Sequence, residues 1–191
     1  MNKPIVLLGG GGSVLTSTKY NGGAKVITLW IKLLRKHGYE TFQVTHDGNY
    51  PKWLIEHQPI ISFDLAKKWK KEGKNLKCVI FWLPVAKYFL MLANQIYFCD
   101  CEITYTSGGY LLSLKELMKS KIRAIATNSH YNQKWYKETL GYSAKLVPEW
   151  SDEIYWHPKP EKRQKNLVGY MIEPGGHSVE IIKKINEICR N

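Results

Sequence analysis

The apolar positions of this chain change period repeatedly, from short continuous runs to three- and four-residue stripes and back, which predicts strands and helices in alternation. Ile5-Val6-Leu7-Leu8 is an apolar run cut off by four glycines, as a buried strand ends in a turn. Val26, Ile27, Trp30, Leu33 and Leu34 then recur at helical spacing, while Lys25, Lys32, Arg35 and Lys36 fall elsewhere and Gly38 stops the segment. Further strands are predicted at 40–45, 60–63, 78–82, 96–99, 122–126 and 145–147, with 102–106 extending or following the fifth. Helices fill the intervals at 64–72, 84–94, 110–119 and 131–140. Pro84 opens the second of these, Asn128-Ser129-His130 caps the last, and Gly141 closes it. The expected fold class is α/β, a Rossmann-like parallel sheet with helices on both faces.

The alternation breaks after Pro148. Proline and charge dominate 149–165, as in a linker, and 166–191 reads as one strand and one helix with Ile181, Ile182, Ile185 and Ile188 on a stripe. The expected organisation is a domain over 1–148, a linker over 149–165, and the start of an incomplete second domain or a terminal extension over 166–191.

Charge narrows the partners. The net charge is +12, carried mostly by lysines, as in Lys67-Lys68-Trp69-Lys70-Lys71 and over 159–165. Such a field attracts nucleotides, anionic lipid headgroups or nucleic acid. Aromatic RNA-binding and zinc-finger signatures are missing, which places nucleic acid behind the other two. The four cysteines include no C-x-x-C pair and read as reduced, mostly buried thiols, so no metal and no cofactor is expected. No apolar run reaches the ~18 residues of a membrane span, and the amino terminus does not resemble a secretory signal. The expected location is cytoplasmic, at most peripheral to a membrane.

Candidate chemistry gathers at strand ends. Gly11, Gly12 and Ser13, followed by Gly22 and Gly23 at a helix start, can present backbone amides to a phosphate. Neither the P-loop nor the complete dinucleotide glycine pattern is present, so a flexible surface turn is the plain alternative. His46 and Asp47 end the second strand and can orient or deprotonate a hydroxyl, or simply make a polar turn. Ser107, Gly108 and Gly109 form a second small-residue loop before a helix, and Ser129 ends a late strand; each is either a contact for an acceptor or a helix cap.

Three motifs carry a family resemblance. Gly22-Gly23-Ala24 opens a helix leading to His37-Gly38-Tyr39-Glu40-Thr41; Ala126-Thr127-Asn128-Ser129 ends a strand; and Val147-Pro148-Glu149-Trp150-Ser151-Asp152 runs on to Trp156-His157-Pro158. In this order and spacing they resemble the amino-terminal half of a retaining, sugar-nucleotide-dependent GT-B glycosyltransferase of the family 4 kind, with Glu149 and Trp150 replacing an asparagine and a glycine. The resemblance implies transfer of a sugar from a nucleotide-sugar donor to a glycan or lipid-linked acceptor. It also implies that the acceptor docks over the loops after the first, second and fifth strands, while Gly22 and Gly23 face the donor phosphates. Tyr170 and Gly175 stand where the family's basic pair is expected, and no residues remain for its donor carboxylates. A fragment, or a short homologue relying on a partner chain for the donor domain, follows. Two other classes stay open: a non-catalytic module holding a nucleotide or glycan, and a basic scaffold for nucleic acid or a membrane surface.

Overall fold

The computed structural model describes residues 3–10, 22–49, 58–100 and 111–147. In chain order the elements are β1 (Ile5–Gly9), α1 (Gly22–Lys36), β2 (Thr41–Thr45), β3 (Ile60–Ser62), α2 (Phe63–Lys71) and β4 (Leu76–Ile80). A 3-10 turn (Leu83–Val85) and α3 (Ala86–Phe89) follow, then β5 (Ile96–Asp100), α4 (Leu111–Ser120), β6 (Ile122–Thr127), α5 (His130–Leu140) and β7 (Lys145–Leu146). The seven strands form one all-parallel sheet in the order β3-β2-β1-β4-β5-β6-β7. This is the doubly wound, Rossmann-like arrangement that the alternating pattern predicts.

Each sheet face has its own core. On one, Val6 and Leu8 of β1 meet Ile27 and Ile31 of α1, with Trp30, Leu34, Val79 and Phe81 packed around them. Ile31 completes the i, i+4 pair that holds α1 down, a position the predicted stripe omitted. On the other face Leu7, Val44, Cys78, Ile80, Ile96 and Phe98 line up across the strands under Ala66, Phe89, Leu114 and Tyr136. The register explains the sorting: Leu7 pairs with Cys78, and Ile80 with Phe98, so side chains at one level of a parallel ladder share a face. One polar pair is buried on the sheet, where Gln58 Nε2 donates to Gln43 Oε1.

Helix ends follow local chemistry. Ser62 caps α2, its Oγ accepting from the Leu65 amide at 3.1 Å, so α2 starts at Phe63 and the strand before it stops one residue earlier than predicted. Asp64 in the first turn lies 2.6 Å from Lys67, which holds its carboxyl below the usual range. Ser129 caps α5, accepting from the Asn132 amide at 3.2 Å, and Gly141 closes that helix in the left-handed region.

The long helix expected over 84–94 is instead the 3-10 turn and the four-residue α3. Leu83, Val85, Ala86, Phe89, Leu92 and Ala93 are all buried, so the segment has no wide polar face to offer solvent and folds into the core as short turns. β4 runs over 76–80 rather than 78–82, leaving Phe81 and Trp82 beyond its end. The predicted strand at 102–106, the linker over 149–165 and the short unit over 166–191 lie outside the described residues. Among the described residues, no helix is long and apolar enough to cross a membrane.

Cys78 and Cys99 are buried thiols, as predicted. Burial pushes the Cys78 thiol from 9.0 up to about 12. Between those values the unfolded chain sheds a proton that the folded chain keeps, so stability falls as pH rises through the window. The expected slope from this group is about 1.4 kcal/mol per pH unit. Denaturant titrations of wild type and Cys78→Ala at neutral pH and again above pH 9 should show the variant less stable at neutral pH but with the shallower decline.

Candidate functional site

The strand order reverses direction between β1 and β4: the chain winds outward from β1 to β3, then returns to pair β4 with the other edge of β1. In a doubly wound sheet the loops leaving such neighbours part, and a crevice opens at their carboxyl ends. Here its floor is Gly9 and Gly10, with Phe81 and Trp82 leaving β4 alongside; the Phe81 amide donates to the Gly9 carbonyl at 2.9 Å. Because α1 runs back from the end of β1 to the start of β2, its amino terminus stands over this same edge. An added Cβ on Gly10 meets Ile27 Cδ1 at 3.3 Å, which shows how closely the helix approaches.

Gly22 and Gly23 are the first two residues of α1, and their amides belong to the first turn, which no helical carbonyl satisfies. That turn contains no acidic residue to neutralise the positive end of the helix dipole, whereas Arg35 and Lys36 balance the far end. The dipole therefore favours an anion at the crevice. Gly11, Gly12 and Ser13 fall outside the described residues, as do Ser107, Gly108 and Gly109.

Not every glycine of the early run serves the crevice. A Cβ on Gly9 falls 2.1 Å from Phe89 Cζ, so this glycine lets α3 sit down on β1. The sequence offers no way to separate it from its neighbours, because the contact comes from a residue far along the chain.

His46 and Asp47 are exposed at the carboxyl end of β2. Thr45 Oγ1 accepts from the Gly48 amide at 2.9 Å, and the two Asp47 oxygens accept from the Asn49 amide at 3.0 Å and from Asn49 Nδ2 at 2.7 Å. The backbone bond from Asn49, then its side-chain bond, holds the Asp47 carboxyl below its ordinary range. Asp47 is thus anionic throughout the neutral range and a weak proton acceptor. Gly48 has a positive φ of 80°, and a Cβ there meets the Ser62 amide nitrogen at 3.0 Å, which ties the turn to the start of α2.

On the other side of the crevice, Asp100 ends β5 and pairs in register with Thr127 of β6. Both are buried, and Asp100 Oδ2 accepts from the Tyr136 hydroxyl at 2.6 Å. Sequence reasoning missed this pair, although an acid terminating the apolar run Ile96-Tyr97-Phe98-Cys99 was the available signal. Ser129, two residues past Thr127, spends its hydroxyl on the α5 cap, and Asn128 Oδ1 accepts from Asn132 Nδ2 at 3.0 Å.

The carboxyl edge thus gathers Gly22, Gly23, His46, Asp47 and Ser129 along one side of the sheet, on three different segments. Phe81 and Trp82, which the longer predicted strand had concealed, follow β4 and pack toward opposite faces of the sheet, Phe81 with the core of Val6 and Ile27 and Trp82 with that of Leu7 and Phe89. Phe81 is held by Trp30, ring centroids 5.9 Å apart. Compared with known proteins, the chain matches no family model and no curated sequence.

Proposed function

We propose that this chain is the acceptor-side half of a glycosyltransferase-like protein, which binds the diphosphate of a nucleotide-sugar at the crevice between β1 and β4 and transfers the sugar to a glycan or lipid-linked acceptor. The observation that carries the reading is the α1 amino terminus, opened by Gly22-Gly23 and free of acid in its first turn, above the point where the strand order reverses. An oriented helix end favours a diphosphate through fixed amide dipoles, which need no reorganisation on binding. Phe81, half-buried beside Gly10, supplies apolar surface for a base or sugar ring. A partner chain completing the donor side belongs to the same reading.

A binding module without turnover is the second reading, and the turn at β2 favours it. Asp47 is locked by Asn49 and poorly basic, and Ser129 is committed to a cap, so one residue offered for catalysis and one offered as an acceptor contact already have structural work.

Calorimetry with uridine and guanosine diphosphate sugars tests both. Weak, saturable binding is expected, reduced about tenfold by Gly23→Asp, which places a like charge beside the diphosphate. Sugar transfer that His46→Ala abolishes supports the enzyme; binding without transfer supports the module. No saturable binding, or binding indifferent to Gly23→Asp, overturns the site.

A further inference from the structure

The opposite edge of the sheet carries a second feature. A cavity of about 730 Å³ lies where the chain enters β4, β5 and β6, within the size range of small-molecule sites. Lys70, Lys74, Lys77 and Lys121 line it, with the side-chain amides of Asn94 and Gln95, and no carboxylate is among its lining residues.

Lysines often collect at this edge of an α/β sheet merely to neutralise helix carboxyl ends. Here the backbone already satisfies most of those carbonyls. The α2 carbonyls of Lys68, Trp69 and Lys70 accept from the amides of Glu72, Lys74 and Gly73, and the Leu117 carbonyl of α4 accepts from Lys121. The carbonyls of Asn75 and Lys121 accept from Ile5 and Ile96. Among the described residues, Lys70 alone of the four takes up a carbonyl, that of Met91 at 2.9 Å.

Acidic partners are equally few. Lys74 lies over the Trp69 ring, 4.4 Å from its centroid, and 3.6 Å from Glu72, which it shares with Lys68. The side chains of Lys77 and Lys121 have no hydrogen-bond or acidic partner among the described residues. Like charges held together in a concave surface raise the local potential, and among the described residues Lys74 alone of the four has an acidic partner.

We infer that this cavity is a binding site for a compact, soluble anion bearing adjacent phosphate groups, separate from the crevice at the other edge. Lysine suits such a ligand: its ammonium is a compact point charge on a flexible stem that follows a phosphate chain, with no demand for the planar pairing that a carboxylate gives arginine. The amides of Asn94 and Gln95 donate to phosphate oxygens or accept from a hydroxyl on the same molecule.

Calorimetry of the intact chain with tripolyphosphate, pyrophosphate and inorganic phosphate tests the site. Affinity should rise with the number of linked phosphates and fall at higher salt. The double variant K77Q/K121Q should bind tripolyphosphate about tenfold more weakly. Gln95→Glu, which adds a carboxylate to the cavity through an exposed position, should weaken it as well. Thermal melts of both variants should match wild type, because all three side chains project from the surface. Nucleotide-sugar binding should not change in either, which separates this site from the crevice. Equal tripolyphosphate affinity in wild type and both variants, or no saturable signal for any of the anions, overturns the inference. So does lysine-dependent sedimentation with phosphatidylglycerol vesicles in the absence of tripolyphosphate binding, since that assigns the lysines to a lipid surface.

Discussion

Gly9→Val is expected to lower the stability of the domain by about 3 kcal/mol, at the upper end of what overpacking costs. The position occupied by a new Cβ lies 2.1 Å from Phe89 Cζ and 2.3 Å from Cε2. The ring has nowhere to retreat, because Phe89 is fully buried in the core it shares with Leu7, Ile80, Leu83 and Val85. Either α3 lifts from the sheet or the end of β1 bends away, and both routes disturb the floor of the crevice. Urea unfolding should show a lower midpoint with an unchanged slope. Pairing Gly9→Ala with Phe89→Leu should cost less than the sum of the single changes, because the smaller side chain makes room for the new methyl. Strict additivity in that cycle counts against the contact.

The second large effect concerns the buried acid. Tyr136→Phe removes the hydroxyl that donates to Asp100 at 2.6 Å, and leaves the packing of a fully buried ring almost unchanged. A buried hydrogen bond contributes about 0.5–1.5 kcal/mol net. A loss of about 1 kcal/mol is therefore expected in denaturant unfolding. Tyr136 sits on α5 and Asp100 ends β5, so the bond fastens that helix to the strand beside β4. A variant as stable as wild type would mean that the bond contributes nothing net. Asp100→Asn, which keeps the shape and an acceptor oxygen, should lose less than Tyr136→Phe.

Much of the fold is legible in the chain because each sheet position is announced twice, once by an apolar run and once by the punctuation after it. Ser129 and Gly141 mark both ends of α5 through their own side chain or lack of one, and the structure uses both. Legibility fails where packing is decided at a distance. Nothing near Gly9 in sequence announces Phe89, and nothing in 84–94 says that an apolar surplus will collapse into short turns. The same limit applies to the site. His46 and Asp47 are visible as a polar turn at a strand end, but the double hydrogen bond from Asn49 that weakens Asp47 as a base depends on the turn's geometry. The cluster of Lys70, Lys74, Lys77 and Lys121 is assembled by the approach of three strand starts, so along the chain it reads only as scattered surface charge.

The strand order also bears on how the chain comes off the ribosome. β1 is central, yet its second neighbour, β4, is synthesised only after β2, β3 and α2 have emerged, as the pairing of Ile5 with Leu76 requires. Until then the nascent half-sheet presents Val6, Leu7 and Leu8 on an open ladder of amides and carbonyls, the kind of edge that recruits a neighbouring strand. Such late, non-local closure slows folding and exposes intermediates to aggregation. Yield on overexpression should thus depend on chaperone supply and growth temperature more than on the final stability of the native state.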